Sequence, residues 1–217
     1  TRCLSDWSSD VCSSDLALPP RVPVTHHYEM TDNQRKHYNT MMEDFYAMVG
    51  DDEPVTADMV LTQRIKLQQI SSCLLMDDDK VHWLEPPKKN PKLRAICDLF
   101  DYTECKAIVP YFYKPSGAML YEAFKEMKLN PAVITGGMKS SEIVEQKNRF
   151  NKDPDCRVLV GQIDQTSRGH TLLGQSGRDR CNQTYYYENS LSLMHRDRKS
   201  TRLNSSHLGI SYAVFCL

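Results

Sequence analysis

The chain has 217 residues, with 27 basic and 28 acidic side chains and a formal net charge of −1. That balance excludes the strongly basic surface of a protein built to coat nucleic acid. No apolar run approaches the roughly 20 residues needed for a transmembrane helix.

Both ends are set aside before the elements are read. Asp6–Leu16, DWSSDVCSSDL, and Asp197–His207, DRKSTRLNSSH, are near-verbatim to out-of-frame translations of sequencing-library adapters. Ile210–Leu217, ISYAVFCL, resembles the far end of the same kind of adapter. A Ser/Asp-rich tail and a short apolar C-terminus are the plainer alternative. Scars of this kind are excluded from fold reasoning, which removes 1–16, expected to be disordered, and 197–217. The remainder carries 23 basic and 24 acidic residues, so its net charge is still −1. Its cysteines, Cys73, Cys97, Cys105, Cys156 and Cys181, form no C-x-x-C pair and fit neither zinc ligands nor a disulfide framework. Free thiols in a reducing cytoplasm are expected, that of a bacterial host cell if the source is a phage or a prokaryote. No genuine start is visible, so targeting is unreadable.

In chain order, prolines 19, 20 and 23 make an extended lead-in to a short strand over Val24–Met30. Thr31-Asp32-Asn33-Gln34 is a capping box with Thr31 as N-cap. The helix behind it puts Tyr38, Met41, Met42, Phe45 and Val49 on one face. Gly50–Pro54 stops it. A second helix runs from Thr56 to about Leu74, with Val60, Leu67, Ile70 and Leu74 in one stripe. Met76–Pro91 reads as a charged link, so 17–90 is a strand plus a helical insert and linker.

From Pro91 the rhythm changes. Lys92–Phe100 is a helix with Leu93, Ile96, Cys97 and Phe100 inward. Lys106–Tyr113 is a strand that Pro110 demotes to an edge or marks with a bulge. Gly117–Lys128 is a helix burying Leu120, Phe124 and Met127. Pro131–Thr135 is a strand. Ser140–Phe150 is a helix with Ile143, Val144, the Lys147 stem and Phe150 toward the core. Arg157–Gly161 and Thr184–Glu188 are strands. Alternation of strand and helix predicts an α/β fold with a parallel sheet and crossover helices over 91–196.

Two connections carry candidate chemistry. Thr135-Gly136-Gly137-Met138-Lys139-Ser140 joins a strand to a helix, but a Walker A loop needs Gly directly before Lys, and Met138 intrudes. A tight turn in which Ser140 caps the helix and Glu142 and Glu145 favour its dipole is the expected role. Its free N–H groups and Lys139 remain suited to a phosphate backbone. Gln162–His170 is denser in hydrogen-bonding groups: Gln162, Asp164, Gln165, Thr166, Ser167, Arg168 and His170 precede or flank Gly169. Arg168 suits a phosphate, Gly169 permits close backbone approach, and such strand ends are where open α/β sheets bind nucleotides. An ordinary strand-to-helix connection is the competing reading. Tyr185–Tyr187 reads as packing rather than as a base-stacking platform. His26-His27 points to opposite faces and is no metal pair; Asp77-Asp78-Asp79 reads as a solvated loop.

Taken in order, these elements resemble the second RecA-like lobe of superfamily-two helicases, in the compact Swi/Snf-type form carried by phages. Lys92–Ile96 is similar to the helix that opens the lobe, and Lys106–Tyr113 to the strand of the fourth motif. Ile134–Gly137 with its helix matches the Gly-containing turn. Val158–Leu172 resembles the fifth motif, and Tyr185–His195 the approach to the sixth. The resemblance implies an ATP-dependent DNA translocase or helicase, with ATP and Mg²⁺ as cofactors of the parent protein, and DNA and an N-terminal RecA-like lobe as partners. It implies Gln162, Arg168 and Gly169 near the nucleotide, and Thr135, Gly136, Lys139, Thr166 and Ser167 near backbone phosphates. The sixth motif, with its arginine finger, is replaced by Asp197–Arg202, and no Walker A loop or acidic Mg²⁺ box is present. The fragment is therefore expected to be inactive alone. A stand-alone α/β nucleotide-binding or transferase domain and a non-catalytic interaction module remain open as alternatives.

Overall fold

The computed structural model describes residues 22–50, 57–77, 80–166, 172, 174, 180–188 and 211–216. The strands of its main sheet are β1 (Val22–His27), β4 (Lys106–Tyr111), β5 (Ala132–Ile134), β6 (Val158–Gln162), β7 (Cys181–Tyr186) and β8 (Ser211–Cys216). They run in the order β1-β8-β7-β4-β6-β5, and every pairing is parallel. A separate antiparallel hairpin joins β2 (Leu74–Asp77) to β3 (Lys80–Trp83). The helices are α1 (Asp32–Gly50), α2 (Ala57–Ser71), α3 (Pro91–Asp101), α4 (Lys114–Glu126), α5 (Ser140–Lys152) and the single turn α6 (Ile163–Thr166).

A parallel strand covered by helices on both faces reads as a near-continuous apolar run. All six residues of β4 are buried. Side chains alternate across the sheet, and the core divides accordingly. Ala107, Val109, Tyr111, Val158 and Val160 pack with Leu93, Ile96 and Phe100 of α3 and Leu120 and Phe124 of α4. Ile108, Leu159, Ala132 and Ile134 pack on the other face with Phe150 of α5, Cys156 and Leu172. Leu120 and Phe124 are fully buried, each contributing about 1.5–3 kcal/mol of hydrophobic stabilisation. Tyr185, Tyr186 and Tyr187 are buried as well, in keeping with packing rather than base stacking.

The expected capping box forms. Thr31 N–H donates to Gln34 Oε1 at 3.1 Å, and Gln34 N–H to Thr31 Oγ1 at 3.2 Å. Hydrogen bonds join α1 to α2 and the end of α2 to the lobe. Tyr28 Oη donates to the Ser71 carbonyl at 2.7 Å, Gln34 Nε2 to the Ile70 carbonyl at 3.0 Å, and the buried Lys92 Nζ to Ser72 Oγ at 3.2 Å. Lys92 Nζ also lies 4.9 Å from the centre of the Tyr187 ring, a cation–π contact that offsets part of its desolvation.

Six expectations are corrected. Pro110 does not put β4 at an edge, because β4 lies between β7 and β6. Pro110 lacks only a donor; its carbonyl accepts from Tyr187 N–H at 3.0 Å. The irregularity in the β4–β7 ladder falls instead at Lys106/Ala107. The link over Met76–Pro91 contains β3, and Pro87–Lys89 forms a 3₁₀ turn leading to Asn90. Asn90 Oδ1 caps α3 by accepting from Lys92 N–H and Leu93 N–H. The second helix ends at Ser71, where Cys73 adopts φ 62° and turns the chain, so Leu74 is buried from β2. Val144 is exposed rather than inward. The N-cap of α5 is Lys139 rather than Ser140, and the Glu142 carboxylate accepts from Lys139 N–H at 2.8 Å. Ser211–Cys216, left out of the fold on sequence grounds, pairs as β8 between β1 and β7. Its β-branched and aromatic composition favours a strand. Residues 1–16 lie outside the described residues.

Lys106 shows how the sheet holds a helix end. It is 1% exposed, and its Nζ donates to the carbonyls of Phe150 and Asp153 at 2.6 and 2.5 Å. Those oxygens end α5, where intrahelical partners run out. Replacing Lys106 by Ala leaves both short of a donor. The expected loss is about 2–4 kcal/mol, read as a lower urea midpoint at unchanged slope.

Candidate functional site

Parallel pairing brings the carboxyl ends of β4, β5 and β6 to one edge. Pro110 of β4 and Ile134 of β5 both pair with Gly161 of β6. The turn after β5 therefore lies beside the chain leaving β6. There Gly136 N–H donates to Gln162 Oε1 at 2.7 Å. A Cβ at Gly136 would sit 2.9 Å from that oxygen and 4.0 Å from Gln165 Nε2, so the turn is pressed against the β6 end. Gly137 follows with φ +95° and open space around it, a left-handed conformation for which glycine has no steric cost.

Gly161 has a different role. A Cβ there would lie 2.2 Å from Thr166 Cγ2. Its bare backbone is what lets α6 fold back over the strand. Thr166 is 3% exposed, and its Oγ1 donates to the Gln162 carbonyl at 2.9 Å. Thr135 lies partly buried at the same edge, and its backbone N–H meets Met138 Sδ at 3.3 Å. Burial pushes the Tyr111 phenol above its ordinary value, and a hydrogen bond to the Thr135 side chain opposes that shift. Gly117 of α4 would place a Cβ 2.3 Å from Tyr111 Cζ, so the helix lies directly on that ring.

The sequence-predicted residues thus divide. Thr135, Gly136, Gln162 and Thr166 come together at one edge, with Lys139 exposed at the start of α5. Ser167, Arg168, Gly169 and His170 lie outside the described residues. Gln162 Oε1 is committed to Gly136 rather than open to a ligand. Residues that sequence reasoning passed over are Tyr111, Gly161 and Glu188. The Glu188 carboxylate is 1% exposed and accepts from Phe112 N–H and Tyr113 N–H, both at 2.8 Å, and from Ser116 Oγ at 2.6 Å. It satisfies the N-terminus of α4 and complements its dipole. No local pattern marks that pairing, whose partners are 72 to 76 residues apart in sequence.

Two of the thiols are unsuited to act as nucleophiles. Burial, with Glu85 adding and Lys92 opposing, pushes Cys73 up to about 12. Burial, aided by Asp98 and Asp101, pushes Cys97 up to about 11. Both stay protonated at neutral pH, and the thiolate is the reactive form. Among the described residues no three His, Cys, Asp or Glu side chains are grouped to hold a metal ion, and no helix is long and apolar enough to cross a membrane. With the Thr135, Gly136 and Lys139 N–H groups and the Thr166 hydroxyl already paired, what the edge offers to anionic oxygen is the Gln162 Nε2 end of the amide and the exposed Lys139.

No family model matches the chain, and no curated protein matches it in sequence. Solved structures do match. The C-terminal part of the Fun30 ATPase domain superposes with a TM-score of 0.68 at 11% identity, covering 91% of this chain and 85% of that one. A Sulfolobus solfataricus SWI2/SNF2 ATPase C-terminal domain gives 0.63 at 12%, covering 90% and 79%. The core of a Sulfolobus solfataricus SWI2/SNF2 ATPase in complex with dsDNA gives 0.68 at 14%, covering 90% of this chain and 41% of that chain. The fold is accordingly that of a RecA-like lobe, as in the C-terminal half of those ATPases.

Substitution of Gly161 by Ala tests the packing of α6 on β6. The forced contact with the Thr166 methyl is expected to cost about 1–3 kcal/mol. Adding Thr166→Ser removes that methyl and keeps the hydroxyl, so the double variant should regain most of the lost urea midpoint.

Proposed function

We propose that the chain is the second RecA-like lobe of an ATP-dependent DNA translocase or helicase, of the Swi/Snf type its sequence resembles in phage-borne form. The observation that carries this reading is the carboxyl edge. The Gly136 turn and the β6–α6 segment stand side by side on adjacent parallel strands, on a fold shared with SWI2/SNF2 ATPase lobes. One of the similar structures is such a core in complex with dsDNA, which supports DNA as the partner.

On this reading Thr135, Gly136, Lys139, Thr166 and Ser167 face backbone phosphates, and Gln162, Arg168 and Gly169 face the nucleotide. A cytoplasmic setting follows from that partner. ATP, when bound with Mg²⁺, supplies the phosphoanhydride whose hydrolysis drives movement. The residues at this edge fit its phosphate oxygens but not its metal, since they bring donors and no carboxylate cluster. The sequence holds no G-x-x-x-x-G-K-[ST] loop. The Lys and carboxylates that grip ATP·Mg²⁺ must then come from a partner lobe, with the arginine finger that stabilises the transferring phosphoryl group. What this chain does itself on this reading is orient phosphates, with the exposed Lys139 and the Nε2 end of Gln162 as the groups it offers.

The purified chain is expected to bind duplex DNA in a salt-dependent manner without DNA-stimulated ATP hydrolysis. Lys139→Ala should weaken binding and flatten the plot of log K against log salt by about one, as for one lost phosphate contact. Stimulated hydrolysis by the chain alone, or a salt slope that Lys139→Ala leaves unchanged, would contradict the reading.

A further inference from the structure

We infer that Gln162 is a positioning residue: its side chain clamps the Gly136 turn to the end of β6, so that the two segments facing phosphate hold one geometry. The inference rests on the proposed function for its ligand, but the clamp itself stands on geometry.

Gly136 follows β5 and Gln162 closes β6, 26 residues apart, and one hydrogen bond of 2.7 Å joins them. The donor is a backbone N–H, so the amide atom facing it must be the oxygen. That assignment fixes the rotamer. It leaves the Nε2 protons, which have no hydrogen-bond partner among the described residues, as the free end of the same amide. Clearance points the same way. A Cβ at Gly136 would approach Gln162 Oε1 to 2.9 Å, so a side chain there would push the end of the Gln162 amide out of the bond. Behind Gln162, the Thr166 hydroxyl donates to the Gln162 carbonyl and Gly161 gives Thr166 its space. The turn after β5 is therefore bonded to the residue on which α6 is hinged. Any displacement of 163–166 must move Gln162, and with it the Gly136 amide.

Three variants of the full 217-residue chain separate this role from direct contact. Gln162→Glu keeps an acceptor for Gly136 N–H and removes the Nε2 donors. Gln162→Leu removes both. Gly136→Ala leaves Gln162 intact but denies it the approach. Amide hydrogen exchange and the ¹H–¹⁵N shift of residue 136 read the clamp, and affinity for a short DNA duplex reads its consequence. Gln162→Leu is expected to speed exchange at Gly136 at least tenfold with little change in melting temperature. Gln162→Glu should hold exchange within about twofold of the parent. Gly136→Ala should weaken DNA binding as Gln162→Leu does, and combining the two should add little, since coupled residues are not additive. Unchanged Gly136 exchange in Gln162→Leu, or fully additive losses in the double variant, would overturn the inference. If the parent chain fails to bind DNA, the proposed function fails, and the exchange data still decide the clamp.

Discussion

The site depends on the register at Gly161. Because β4, β5 and β6 are parallel, Pro110, Gly161 and Ile134 lie in one row across the sheet. The next residue of each strand therefore emerges at a shared edge. Gly161 carries no side chain in that row, and the space is taken by the Thr166 methyl. A larger residue at 161 would move α6, whose Thr166 hydroxyl donates to the Gln162 carbonyl. β6 is apolar toward both helix layers, with Val158 and Val160 on one side and Leu159 on the other, so its register is set by side-chain size and by the bare Gly161 rather than by polar–apolar alternation. Core packing thus sets the geometry of an edge that is itself polar.

Elsewhere in the fold, orphan backbone groups are satisfied by side chains, some local and some from distant segments. Glu188 accepts from the start of α4, Asn90 from the start of α3, and Lys106 donates to the end of α5. Buried polar groups left without such partners would each cost about 1–3 kcal/mol. The turn at Gly136 and Gly137 is the contrast. It has one clamp to Gln162, an exposed glycine and an exposed lysine beside it. An exposed lysine beside a single side-chain clamp is what sets this edge apart from those fully paired helix ends.

Much of this was legible in the sequence. The apolar runs over Lys106–Tyr111 and Val158–Gly161, the Thr31–Gln34 box and the spacing of Leu120 and Phe124 each state a local preference that packing upholds. What was not legible depends on neighbours. Pro110 reads as an edge signal because proline lacks a ladder donor, yet only its carbonyl is needed near the strand end. Lys80–Trp83 is four residues long, and its partner strand follows directly from a helical stripe, so periodicity could not separate the hairpin. Glu188 reads only as the polar end of a strand until Phe112 and Tyr113 are placed beside it. Gly161 reads as an ordinary strand glycine until Thr166 is folded over it. Thr135, Gly136, Gln162 and Thr166 were chosen by residue type and position after strands, and parallel pairing brings them together. It does not say which of them touches a ligand and which holds another in place.

The central claim is that one sheet edge, the carboxyl ends of β4, β5 and β6, faces the nucleic acid. Titrating the ¹⁵N-labelled chain with a short DNA duplex tests it directly. The account predicts that amide shifts concentrate at Thr135–Ser140 and Gln162–Thr166. Shifts concentrated at the opposite ends of the same strands, around Lys106 and Arg157, with the Gly136 turn unmoved, would contradict it.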